Sequence, residues 1–290
     1  MRVTPQMMLN STLHNIELNQ ARTEQLQNQI TSGSRINKPS DDPIGAARAL
    51  NLKEALGTSE QYVRNIDQAT SWLNSTDSAL DAVTQAIHRS RELAVQASSD
   101  TMTSADRSAI DAEIGQLQQH VLDLSGTKYG PYYLFAGTRS DARGYASAAP
   151  AGYQGNNQSI MREVAAGTSI SVNADAQATF DPTFTALTNL RAGLSSNNAA
   201  TISATLADFD SALDAVNVSR AQIGAKTNRM DFLKSRQQDI GVNLTGLLSQ
   251  VKDVDMAEAL TNFSMAQNTY MASLKAGAQA LQPSLLDFLR

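Results

Sequence analysis

The stretch LKEALGTSEQYVRNIDQATSWLNSTDSALDAVTQAIHRSRELAVQA, residues 52–97, carries a long seven-residue repeat. One row of mostly apolar side chains recurs every seventh position, and a second row runs beside it with one phase slip. This pattern is typical of a long helix that packs lengthwise on other helices. A helix over 43–99 would be about 85 Å long at 1.5 Å per residue. The first row is Leu52, Ser59, Ile66, Leu73, Leu80, Ile87 and Ala94, and the second is Leu56, Val63, Thr70, Thr76, Val83, Ser90 and Ala97.

A second long repeat lies in the C-terminal half of the chain. It has the same spacing of three, four or seven residues, again with one phase slip. Because the two repeats are similar in length, we expect residues 43–131 and 183–252 to pack side by side as the halves of an antiparallel helical rod. The second repeat consists of Ile202, Leu206, Phe209, Leu213, Val216, Ile223, Met230, Leu233, Ile240, Leu244, Leu247 and Val251.

Between the two halves, residues 132–182 lose the helical period and become rich in Gly, Asn, Ser and Thr. Two short alternating runs, 159–164 and 168–173, flank Ala165-Ala166-Gly167 and predict a β-hairpin. Two helix starts are predicted, at Asp42-Pro43 and at Asp181-Pro182. An Asp side chain can accept hydrogen bonds from the free backbone N–H groups of the first turn, and proline suits the first helical position. The predicted fold is therefore mainly α: a long antiparallel coiled-coil rod with a small β-rich insertion.

The two ends of the chain, residues 1–42 and 253–290, carry weaker helical repeats. Helix 3–32 has Leu9, Ile16, Thr23 and Ile30 in one row, diluted by Gln and Asn. Such helices are marginal alone, since packing supplies most helix stability. The C-terminal helix has one row of Leu260, Gln267, Leu274 and Leu281 and another of Phe263, Tyr270 and Gly277, followed by the apolar tail 284–290.

Composition and motifs argue against several function classes. A formal charge of −5 without a Lys/Arg run argues against nucleic-acid binding. The sequence contains no run of eighteen apolar residues, so we expect no membrane-spanning helix. The absence of cysteine excludes thiolate metal sites and disulfides. The three histidines lie on separate predicted helices, and no hydrolase or nucleotide-binding motif occurs. We therefore expect no catalytic residues, no cofactor and no metal site.

Several stretches resemble the bacterial flagellin superfamily. They are ITSGSRINKPSDDPIGAARAL at 30–50, SRELAVQAS at 90–98, DVDMAEAL at 253–260 and LQPSLLDFLR at 281–290. The opening MRVTPQMM, and Phe135-Ala136-Gly137-Thr138 before a small insertion, are closer to the hook-associated branch than to typical flagellins.

The resemblance implies a structural protein at the junction between flagellar hook and filament, exported by the flagellar type III system and located outside the cell. It implies as partners neighbouring copies of the chain, hook-associated protein 1, flagellin and a flagellar export chaperone that takes the C-terminal segment. The alternatives are a short flagellin that forms the filament itself and a cytosolic coiled-coil adaptor.

The residues expected to carry assembly are the large seam residues of the two terminal helices. The alternative is that they only pair the two termini within one molecule. The predicted assembly residues are Leu9, Leu13, Ile16, Ile30, Leu260, Phe263, Tyr270, Leu274 and Leu281.

Overall fold

The computed structural model describes the backbone of residues 5–281 and the side chains of residues 6–279. Two compact units divide the chain. The central unit is Ser59–Ile240, and the terminal unit combines the described residues up to Thr58 with those from Gly241 onward. The opening residues 1–4, the side chains of residues 5, 280 and 281, and the tail 282–290 lie outside the described residues. They include the predicted assembly residue Leu281 and the last part of the C-terminal segment that is predicted to bind the export chaperone.

Six helices and two small antiparallel sheets make up the described chain, which confirms the predicted mainly α fold. A single 3-10 turn, Pro150–Gly152, is the remaining helical element. None of the described helices is both long and apolar enough to cross a bilayer. The helices are α1 Pro5–Ser32, α2 Pro43–Ala97, α3 Ser104–Ser125, α4 Ala176–Ser195, α5 Ala199–Lys252 and α6 Met256–Leu281; the strands are β1 Lys128–Tyr129, β2 Tyr132–Tyr133, β3 Met161–Ala165 and β4 Thr168–Ser171.

The seven-residue repeat of α2 faces the core of the central unit. Every first-row residue from Ser59 to Ala94 is buried, and the second row is buried or half-buried from Val63 to Ala97. Within this unit α2 and α5 run antiparallel: residues later in α2 contact residues earlier in α5. These contacts are Ser59 Oγ to the Gln237 carbonyl at 3.0 Å, Asp67 to Lys234 at 2.7 Å, Asp77 to Arg220 at 3.0 Å and Asp210 to Arg91 at 3.0 Å.

An aromatic cluster joins the β-containing segment to α4. Phe135, Tyr145, Phe180 and Phe184 are fully buried, and the ring centroids of Phe135 and Phe180 lie 4.8 Å apart at a steep angle. Edge-to-face pairs of this kind are favourable beyond the apolar area they bury. The Tyr145 hydroxyl donates a hydrogen bond to Asp181 Oδ1 at 2.6 Å. Burial, and then this contact, raise the pKa of Tyr145.

The predicted helix start at Asp181-Pro182 is wrong. Helix α4 begins at Ala176, and its N-cap is Asp175, whose carboxylate accepts the Ala178 N–H at 3.2 Å. Pro182 lies inside the helix, and Asp181 binds the Tyr145 hydroxyl. Asp175 and Asp181, six positions apart, can both cap a helix. The proline that follows Asp181 favoured the second position in the sequence, but the helix begins at the first.

The predicted helix start at Asp42-Pro43 and the predicted β-hairpin are confirmed. Asp42 Oδ1 accepts the Gly45 N–H at 2.8 Å at the start of α2. Gly33, at the end of α1, has φ of +66°, a conformation that favours glycine. Strands β3 and β4 form the predicted hairpin around Gly167, which has φ of +68°.

Candidate assembly interface

The two units differ sharply in how they bury apolar side chains. The large hydrophobic cluster, which runs from Ile66 to Leu233, belongs entirely to the central unit. Among the described residues of the terminal unit, the buried hydrophobic side chains are two alanines, Ala259 and Ala266. Of the eighteen exposed large hydrophobic side chains among residues 6–279, thirteen belong to the terminal unit. The described part of the terminal unit therefore has no core of large apolar side chains and presents apolar surface.

Helices α1 and α6 pack against each other along an inner seam. Gly277 is buried there, and a Cβ atom at this position would lie 3.0 Å from Ile16 Cδ1, so the glycine permits a close approach of the two helices. Beside it lies an apolar groove of about 300 Å³. The groove is lined by Leu9, Thr12, Leu13 and Ile16 of α1 and by Leu274, Gly277 and Ala278 of α6.

An outer stripe of large apolar residues borders the inner seam along α6, and its member Leu274 also lines the groove next to α1. We define the outer stripe as Met256, Leu260, Met271 and Leu274, which are 43%, 50%, 48% and 42% exposed. At about 100° per residue these four positions fall within one sector of the helix, with Gln267 between them. Because α1 covers only the inner seam, part of the apolar surface of α6, the outer stripe, is left exposed.

The predicted assembly residues therefore fall into two groups. Leu9, Ile16 and Ile30 of α1 are half-buried, as are Phe263 and Tyr270 of α6. In contrast, the exposed members are Leu13, which is 47% exposed, and the stripe residues Leu260 and Leu274.

Sequence reasoning did not separate these groups, since it ranked positions by the size of apolar side chains. The inner seam of α6 is built partly from small residues, Ala259, Ala266 and Ser273, which recur every seven positions beside Phe263 and Tyr270. This row of small residues was the available signal. Because the ranking overlooked this row, it also failed to recognise Met256 and Met271 as members of the outer stripe.

Charge is scarce on the terminal helices. Helix α1 has 28 residues and α6 has 26, and together they contain five charged side chains. Residues 1–58 and 241–290 carry nine Lys/Arg and nine Asp/Glu, so the formal charge of −5 belongs wholly to residues 59–240. The centres of protein–protein interfaces are depleted of charged residues and enriched in Met and aromatic residues. The five charged residues are Glu17, Arg22, Glu24, Glu258 and Lys275.

The two connectors that lead to α1 and α6 are joined to each other. Ser34 and Asp253 form an antiparallel bridge. The Arg35 N–H donates to the Lys252 carbonyl at 2.7 Å, and the Val254 N–H donates to the Gly33 carbonyl at 3.1 Å. We call this pairing the joint. Helix α6 starts directly after it, where Asp255 Oδ1 accepts the backbone N–H groups of residues 257 and 258 at 2.9 and 3.2 Å.

The strongest electrostatic perturbations lie in the central core. Burial raises the pKa of Tyr153 to about 12, with smaller contributions from Asp175 and Asp181. The pKa of Arg220 is raised, mainly by its hydrogen bond to Asp77. The hydrogen bond from Arg220 to Asp77 links α5 to α2 within the central unit. Within residues 5–281, no group of three metal-ligating side chains comes together.

Comparisons with known proteins agree with these features. Residues 3–140 match the bacterial flagellin N-terminal helical region, and residues 206–289 match the bacterial flagellin C-terminal helical region. Flagellar hook-associated protein 3 of Escherichia coli is 30% identical over 95% of this chain and 96% of its own. The protein of the same name from Salmonella typhimurium is 27% identical over the full length of both.

A solved structure supports the fold. A flagellar hook-associated protein from Vibrio parahaemolyticus superposes with a TM-score of 0.68 at 22% identity, covering 73% of this chain and 100% of that one. The sequence matches span both helical ends, and the match to hook-associated protein 3 of E. coli extends across the insertion. The chain belongs to the bacterial flagellin family, in which it is similar to flagellar hook-associated protein 3.

Proposed function

We propose that this chain is a structural subunit of the bacterial flagellum that forms the junction layer between hook and filament. It would act outside the cell after export by the flagellar type III system. Support comes from its similarity, along nearly all of both chains, to flagellar hook-associated protein 3. The proposed role is mechanical, and it requires no cofactor and no catalytic residue.

The observation that carries the proposal is the incomplete packing of the terminal unit. The inner seam pairs α1 with α6, whereas the outer stripe of α6 stays exposed and the charge on both helices is low. Neighbouring subunits can cover this surface and thereby supply the missing apolar contacts. Each copy would use different surfaces toward the copies on either side, since head-to-tail contacts build rings and helical layers.

In this arrangement the inner-seam residues hold each terminal pair together, and the exposed residues contact neighbours. The proposed neighbour contacts are Leu13, Leu260 and Leu274, with Met256 and Met271 added from the structure. The proposed partners are other copies of the chain, hook-associated protein 1 on the hook side and flagellin on the filament side. The C-terminal segment is the proposed ligand of an export chaperone, as an apolar helix that enters a groove.

Deletion of the gene tests the function. We expect hooks to form normally while flagellin escapes into the medium, because the layer that receives the first flagellin subunits is missing. Restoring the gene should restore filaments. A complementing copy with Leu260→Asp and Leu274→Asp should fail, and one with Met265→Asp, which lies on another side of α6, should succeed. Filaments of normal length on the deletion strain would refute the junction assignment.

A short flagellin is the second candidate, because the matching family regions are those of flagellin itself. Purified chain mixed with filament seeds separates the two. Polymerisation into micrometre-long filaments would favour flagellin, whereas addition that stops after a short layer would favour the junction role.

A further inference from the structure

Methionine is concentrated in the terminal parts of the chain. Six of its nine methionines lie in residues 1–58 and 241–290, and the chain has no cysteine. Without a thiolate, the methionine thioether is the side chain that mild two-electron oxidants attack most readily. The methionines are therefore the most easily oxidised groups of this protein. Their positions determine which surfaces a mild oxidant makes more polar.

Three methionines of α6 are exposed, and they lie on different sides of the helix. Met256 and Met271 belong to the outer stripe, between and beside Leu260 and Leu274. Met265 is 55% exposed, yet it is nine residues beyond Met256, which places it about 180° away around the helix. Helix α6 thus contains two methionines within the proposed contact surface and one matched methionine outside it.

Methionines outside α6 serve as controls for the oxidation experiment. Met230 is completely buried in the central unit, and Met161 is 53% exposed on strand β3 of the same unit. Met230 should resist a dissolved oxidant, and Met161 should react with it. Met7 and Met8 on α1 are also exposed, at 62% and 56%.

We infer that Met256 and Met271 make the outer stripe an oxidation-sensitive site that controls addition of the subunit to the flagellum. This inference rests on the proposed function. The oxidant is a peroxide. The thioether sulfur attacks one peroxide oxygen, the O–O bond breaks, and a sulfoxide and one water molecule form from each methionine and hydrogen peroxide. Sulfur loses two electrons and the peroxide gains them.

The consequence follows from the polarity of the product. A sulfoxide oxygen is a strong hydrogen-bond acceptor, and burying it without a donor is unfavourable. Leu260 and Leu274 beside it offer no donor, and Gln267 between them offers a single amide group, so a stripe with two sulfoxides should pack poorly on an apolar neighbour. Oxidation before assembly should block addition, and methionine sulfoxide reductase should restore it.

The test adds purified full-length chain to cells of the deletion strain and measures filament regrowth. Mild hydrogen peroxide should add one oxygen each to the exposed residues Met7, Met8, Met161, Met256, Met265 and Met271 and leave Met230 unmodified, as read by peptide mass spectrometry. Treated protein should restore about tenfold fewer filaments than untreated protein, the effect expected for burying one unsatisfied polar group. Thermal unfolding of the central unit should be unchanged.

Matched variants locate the effect. The double variant Met256→Leu and Met271→Leu keeps the stripe apolar and should restore filaments after peroxide treatment. Met265→Leu should remain as sensitive as the natural chain. Equal regrowth with treated and untreated chain would overturn the inference, as would a double variant that peroxide still inactivates. Failure of untreated chain to restore filaments would instead contradict the proposed function, and the inference would fall with it.

Discussion

At the scale of single residues, a buried and an exposed position of the central unit should respond differently to the loss of the same side chain. Phe184 is fully buried in the central core, whereas Phe232 on α5 is 69% exposed. We expect Phe184→Ala to lower the free energy of unfolding by about 3–5 kcal/mol, because it removes apolar contacts and leaves a cavity. The matched Phe232→Ala should change it by about 0.5 kcal/mol or less.

The chain contains one tryptophan, and this makes the comparison simple to measure. Trp72 is 6% exposed in the central unit and contacts the ring of Tyr129. Its fluorescence in a urea titration therefore reports unfolding of that unit. Equal losses for the two variants would mean that the aromatic cluster is not the core described above.

Two tyrosines, the buried Tyr145 and the half-buried Tyr153, predict a dependence of stability on pH. Burial raises the pKa of Tyr145, and burial raises the pKa of Tyr153 to about 12. The unfolded chain releases these protons near pH 10. The folded chain holds them more tightly, so their contribution is complete below pH 10 and is lost as the pH rises from about 10 toward 12.

Thermal unfolding followed by Trp72 fluorescence between pH 8 and pH 11.5 checks this expectation. The melting temperature should fall above pH 10, and the fall should be shallower for Tyr145→Phe, which has no proton to release. A natural chain as stable at pH 11.5 as at pH 9 would contradict it.

At the scale of elements, the joint should hold α1 and α6 as a pair. Val254→Pro removes the N–H that donates to the Gly33 carbonyl, whereas Arg35→Ala keeps both backbone bonds of the joint. Because the chain has no cysteine, a pair introduced by Thr12→Cys and Gly277→Cys reports α1–α6 contact alone. In flagella assembled by a complemented deletion strain, Val254→Pro should reduce disulfide formation several-fold and Arg35→Ala should not. Equal cross-linking in the two variants would show that the joint does not couple the helices.

The elements also show how far sequence reasoning reaches. The long repeats predicted α2 and α5, because periodicity over many turns is a property of the local sequence. Asp42-Pro43 predicted a helix start correctly and Asp181-Pro182 did not, because the earlier Asp175 already caps α4. Leu260 and Phe263 looked alike as seam residues, and only the position of α1 beside α6 separates them. Which face a partner helix covers is set by tertiary packing.

At the scale of the whole molecule, the central and terminal units differ in their apolar packing, and we expect them to differ in stability. No apolar cluster like the one that fills the interior of residues 59–240 occurs in the described terminal unit, and its two helices α1 and α6 carry few charged residues. Segments that fold on binding pay their ordering entropy at that step. We therefore expect the central unit to fold in the free subunit and the terminal helices to gain their stability on assembly.

Hydrogen exchange on the full chain, as dilute monomer and after incorporation into flagella, tests this division most directly. In the monomer, backbone amides of residues 5–32 and 256–281 should exchange rapidly, while the helices of residues 59–240 remain protected and serve as the internal reference. After incorporation, both terminal helices should become protected. Strong protection of residues 5–30 in the dilute monomer would contradict the account, because it would show that the terminal pair is stable without neighbours.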